Sequence, residues 1–157
     1  MSADFLVPVK STLDKLMWDL VAAIALEDPA NYSTLGGLDM DDIVDTDELI
    51  KSQKPLLLWQ HISLAPKPRD PLYTFEFMVG AKTSNDKGNY LLANLSMRVQ
   101  NAFKVDTFLD VQDYSGDTAV PDKGYLTVVS LSQAPQVFDN VAGIRMWQAM
   151  AIGARKI

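Results

Sequence analysis

Residues 54–81 read KPLLLWQHISLAPKPRDPLYTFEFMVGA, and this stretch decides the fold. In an extended chain, successive side chains point to opposite faces. Leu56, Leu58, Gln60, Ile62 and Leu64 then share one face, and Leu57, Trp59, His61 and Ser63 share the other. Apolar residues on both faces at the start predict a buried, central strand. Pro66, Pro68 and Pro71 end it, because proline cannot donate to a strand ladder. Tyr73, Phe75, Phe77, Val79 and Ala81 next alternate with Thr74, Glu76 and Met78. The two runs predict an antiparallel hairpin with a wide loop.

Upstream, the period changes. Leu13, Leu16, Met17, Leu20, Val21 and Ile24 recur at helical spacing, which predicts a helix over 11–27 that stops near Pro29. Ser11 with Asp14 three residues on makes a near capping box. Residues 28–54 read as an extended, irregular arm in which Gly36 and Gly37 break regular structure. Within it, Asp39, Asp41, Asp42, Asp45, Asp47 and Glu48 place six carboxylates in ten positions.

Downstream, Asn89 is placed to cap a helix over 90–103, whose apolar stripe is Leu92, Leu95, Val99, Ala102 and Phe103. Strands are expected over 106–114 and 125–132, separated by a polar turn holding Gly116, Pro121 and Gly124. The tail is ambiguous. Ile144, Met146, Gln148, Met150 and Ile152 alternate with Arg145, Trp147, Ala149 and Ala151, while Met, Gln and Ala favour helix. Gly143 and Gly153 bracket the run, so a strand is preferred. The order is helix, strand, strand, helix and three strands. It predicts one α+β domain over 1–157: a mostly antiparallel sheet, two main helices and a long acidic arm.

Composition narrows the chemistry. The 157 residues contain no cysteine and a single histidine, yet 48% are hydrophobic, with mean hydropathy +0.01. No disulfide framework or thiolate zinc site is available. A net charge of -6 disfavours reading of duplex DNA. The first ten residues lack a long apolar run, and no segment has about 18 consecutive apolar residues, so neither a signal peptide nor a membrane span is expected.

His61 lies mid-strand, and no Gly-x-Ser-x-Gly elbow accompanies it, so a hydrogen-bonded sheet histidine explains it better than a catalytic base. A calcium loop begun at Asp39 has Asp41 third. Its fifth, sixth and twelfth positions are Ile43, Val44 and Ile50, and the match fails. Gly36-Gly37 and Lys87-Gly88 lack the rest of a phosphate loop. The expectation is a non-enzyme without cofactor or metal. Arg145 and Trp147 share a tail face and are candidates for a subunit interface.

The helix at 11–27, the strand LLLWQHI at 56–62, the aromatic strand YTFEF at 73–77, the helix at 90–103 and the closing strands together resemble the tail terminator, or tail completion, proteins of long-tailed bacteriophages. The arm over 28–54 and the segment beyond 135 depart from the smallest members. The resemblance implies a structural virion protein at the head-proximal end of the tail, assembled in the host cytoplasm. Such a protein forms a ring, commonly a hexamer, that caps the tail tube, ends polymerisation and offers a surface for head attachment. Its implied partners are further copies of itself, the tail tube protein and connector or neck proteins, with DNA passing through the ring and no membrane involved. Asp39, Asp41, Asp42, Asp45, Asp47 and Glu48, with Asp113, Asp117 and Asp122, are candidates to face the lumen or a partner. Two other readings stay open. One is a different head–tail joining or minor tail protein. The other is a small-molecule enzyme or binding domain with a pocket built from Trp59, His61 and acids.

Overall fold

A computed structural model describes residues 6–39, 55–64, 72–82, 90–135, 137–139 and 145–157. In chain order its elements are α1 (Leu6–Glu27), α2 (Pro29–Tyr32), β1 (Gly36–Asp39), β2 (Leu56–Leu64), β3 (Leu72–Lys82), α3 (Tyr90–Ala102), β4 (Phe108–Asp113), β5 (Val120–Gln133), β6 (Val137–Asp139) and β7 (Arg145–Lys156). The seven strands form one sheet in the order β1-β2-β3-β7-β5-β4, with β6 also pairing β7. All pairs are antiparallel except β1 with β2. The fold is α+β.

The hairpin of β2 and β3 pairs Leu57 with Val79, Trp59 with Phe77 and His61 with Phe75. A register shift between His61 and Ser63 is absorbed before Leu64 meets Tyr73. The tail resolves to strand. β7 lies centrally, between β3 and β5, where its backbone groups are paired on both sides. Ladder pairing along this whole length outweighs the helical leaning of Met, Gln and Ala.

Both long helices cover the same sheet face. Val9, Leu13, Met17, Val21 and Ile24 form a stripe at spacings of three and four along α1. Leu92, Leu95, Val99 and, just beyond the helix, Phe103 do the same for α3. Beneath them lie Trp59, Tyr73, Phe75, Phe77, Met150, Ile152 and Val128. Phe77 and Phe103 stack with ring centroids 5.0 Å apart. Full burial of each such side chain contributes roughly 1.5–3 kcal/mol, which makes this layer the main source of stability. On the other face, Leu56, Leu58 and Trp147 make a small second cluster with Leu38 against it.

Three expectations need correction. Helix α1 begins at Leu6 rather than 11, because Pro8 falls in its first turn, where no intrahelical N–H bond is required. Ser11 is therefore inside the helix and bonds Pro8 O at 2.9 Å instead of capping. Gly36 and Gly37 do not break the chain but start β1. A Cβ at Gly37 would sit 2.9 Å from a ring carbon of Trp18 and 3.0 Å from a methyl of Val21, so the strand passes there only without a side chain. β5 begins at Val120, and the expected turn residues Pro121 and Gly124 belong to it. That end runs past the last β7 partner, Lys156 opposite Leu126, so Pro121 removes no bond to β7. Gly124 has φ 120, a conformation that side chains rarely adopt.

Candidate functional site

The strongest convergence of polar groups lies where α1 meets the β1 and β4 ends of the sheet. Lys10 and Asp14 are one turn apart on α1, and the Lys10 ammonium donates to Asp14 Oδ1 at 2.5 Å. The same ammonium reaches Asp39 Oδ1, at the end of β1, at 2.7 Å. Trp59 Nε1, from buried β2, donates to Asp14 Oδ1 at 3.0 Å. One cation and one indole thus tie three elements together. Burial pushes the Asp14 carboxyl above its ordinary 3.8, and the bonds from Lys10 and Trp59 only partly oppose this.

Beside this network a cleft of about 580 Å³ is lined by Val7, Lys10, Ser11, Asp14, Lys15, Tyr114 and Ser115. Its size falls in the range of small-molecule sites, about 300–1,000 Å³. Lys10, Ser11, Asp14, Lys15 and Ser115 on its walls are already engaged within the protein. Ser11 Oγ lies 3.1 Å from Gln112 O and accepts from the Tyr114 N–H at 3.0 Å. Thr12 Oγ1, just behind, donates to Gln112 O at 2.9 Å and accepts from Gln112 N–H at 3.1 Å. Together they close the outer side of edge strand β4 as a neighbouring strand would. Lys15 is bonded to both oxygens of Asp19, at 2.7 and 2.9 Å, which raises its pKa. Among the described residues, no group of three or more His, Cys, Asp or Glu side chains could hold a metal ion.

The residues singled out in the sequence are dispersed. Asp39 joins the Lys10 network. Asp41, Asp42, Asp45, Asp47 and Glu48 lie outside the described residues. Asp113 ends β4 and accepts from Ser115 N–H at 2.9 Å and Ser115 Oγ at 2.5 Å, which holds its carboxyl below the usual value. Asp117 is exposed in the following turn, and Asp122 lies within β5. Arg145 opens β7, opposite Lys82 in β3 and Asp139 in β6. Trp147 is only 7% exposed, within the small cluster with Leu56 and Leu58. His61 sits in β2 in register with Phe75.

No sequence motif marks Lys10, Asp14 and Ser11 as a site. The available signal was the i,i+4 spacing of Lys10 and Asp14, which says only that they share a helix face.

Exposed apolar side chains occur on both sides of the sheet: Val7, Leu16, Trp18 and Leu26 on α1, Tyr90 and Met97 on α3, and Phe108 and Tyr125 on the opposite face, with Val105, Val120 and Ile157 at element ends. Trp18 (47% exposed) and Leu26 (84%) project from α1, with Trp18 edge-on to Trp59 at 5.0 Å. Phe108 (69%) and Tyr125 (53%) lie on β4 and β5, away from the helices, because their neighbours Leu109, Val111 and Leu126 fill the core face. No described helix is long and apolar enough to cross a membrane. No known family model matches the chain, and no curated protein matches it.

Proposed function

We propose that this is a structural assembly protein of the tail-terminator kind: a ring-forming cap of a phage tail tube that ends polymerisation and receives the head. The observation that carries the reading is the pair of unlike apolar surfaces. Trp18 and Leu26 stand on the helix side, and Phe108 and Tyr125 on the opposite sheet face. A ring requires a heterologous contact, in which one patch meets a different patch of the next copy. Tryptophan and tyrosine are among the side chains from which such contacts draw most of their energy. A neighbouring position in the virion, as another head–tail joining or minor tail protein, uses the same physics.

Light scattering and electron microscopy of the purified protein, alone and with tail tubes, test the proposal. Rings, alone or seated on tube ends, are expected. A protein that stays monomeric at all concentrations and leaves tube ends bare overturns it.

A second reading, a small-molecule binding domain, draws on the cleft beside Asp14, whose carboxyl is shifted by burial. Ligand-dependent thermal stabilisation that Asp14→Asn abolishes would favour it over the assembly role.

A further inference from the structure

The outer edge of β4 is closed over one half and open over the other. β5 pairs with β4 through Phe108–Thr127, Leu109–Leu126 and Asp110–Tyr125. The bond from Val128 N–H to Thr107 O, 2.9 Å, marks residue 107 as one whose backbone turns towards β5. Alternation then turns Leu109 and Val111 towards β5, and Phe108, Asp110 and Gln112 away from it. Gln112 agrees, because both of its backbone groups are taken by Thr12 on α1. No described strand lies beyond Phe108 and Asp110, for β4 is the last in the sheet order. Their N–H and C=O groups form a short open template.

Two features say what fits it. Phe108 and Tyr125 are diagonal neighbours on one face, both more than half exposed, and they offer an apolar shelf beside the template. The open end of β4 carries Asp106 and Asp110, with Lys104 the nearest cation in the chain, on a protein of net charge -6. A second copy pairing here edge to edge would bring its own Asp106 and Asp110, and its own net charge of -6, against the same groups. A cationic strand meets attraction instead.

The geometry points to strand addition at β4: the open edge at Phe108 and Asp110 receives an extended, lysine- or arginine-bearing segment of a different protein, with an apolar side chain resting on Phe108 and Tyr125. Main-chain bonds supply the register and alternate side chains the selectivity. The shelf is also the patch assigned above to the next copy, so the two readings compete for it: a ring that closes through Phe108 and Tyr125 excludes strand addition there, and a ring that closes through other surfaces leaves it open.

The test uses the full chain and a fluorescent, end-blocked hexapeptide alternating lysine and valine. Saturable binding is expected, weakened at least tenfold by Asp110→Lys and by Phe108→Ser. Both positions are exposed, and unchanged circular dichroism checks the fold. N-methylation of one alternate set of peptide amides should abolish binding, while methylation of the other set leaves it intact. Hydrogen exchange at Phe108 and Asp110 should slow in the complex. No saturable binding, equal binding of a glutamate–valine peptide, or indifference to which amides are methylated overturns the proposal. So does protection of these amides by self-association without peptide, which would make the occupant a second copy.

Discussion

The indole N–H of Trp59 donates to Asp14 Oδ1 across 3.0 Å, joining the middle of a buried strand to a helix 45 positions earlier in the chain. Asp14 is thereby held in a place that desolvates it. Its pKa rises because burial penalises the anion more than Lys10 and Trp59 stabilise it. An acid whose folded pKa exceeds its unfolded value binds its proton more tightly in the fold. The fold therefore gains stability as pH falls through the folded pKa towards 3.8 and loses it above. Asp14→Asn should gain on the parent protein as pH rises through that window, and the difference between the two should then stay constant. Urea unfolding from acid to neutral pH reads this directly. A parent that instead gains on the variant would mean that the two donors outweigh burial.

Thr12 substitutes for a strand at the β4 edge through two bonds to Gln112. Thr12→Val keeps the shape and removes both, so a loss of about 2 kcal/mol is expected. Thr12→Ser, which keeps the hydroxyl, should recover most of it. Chemical denaturation of both variants is the check, and equal stability of the two would show that the hydroxyl contributes nothing.

Gly37 and Gly116 make a controlled pair. Alanine at Gly37 meets Trp18 and Val21 at 2.9 and 3.0 Å, and overpacking should cost about 1–2 kcal/mol. Alanine at Gly116 meets nothing within 4 Å and should be neutral, or stabilise by about 0.4–1 kcal/mol by restricting the unfolded chain. Melting temperatures that move together in the two variants would contradict the close approach at β1.

Trp147 is 7% exposed beside Leu56 and Leu58. Its truncation to alanine should therefore register as a stability loss of about 3–5 kcal/mol. Urea unfolding separates this from an effect on association alone, which would leave the transition midpoint unchanged.

Much of the fold was legible because its elements announce themselves locally. Alternation over 56–64 and 73–81 marks β2 and β3, and the stripe through Leu13, Met17 and Val21 marks α1. β1 and β6 were not legible. Gly36-Gly37 has no side chains to alternate, and β6, Val137–Asp139, is too short to show a period. Both exist because a partner strand supplies the backbone bonds that their own residues do not signal.

Sequence by itself determined the periods, and with them an α+β chain whose apolar residues form a helix-covered sheet. It also determined the chemistry on hand: one imidazole, no thiol, and a surplus of acids. Only the tertiary structure decided that Lys10, Asp14, Asp39 and Trp59 meet, that β1 runs parallel to β2, and that Phe108 and Tyr125 stay uncovered. The reason is physical. Periodicity is set by neighbours within a few residues, whereas convergence depends on register and layer packing between segments tens of residues apart, which no local pattern encodes.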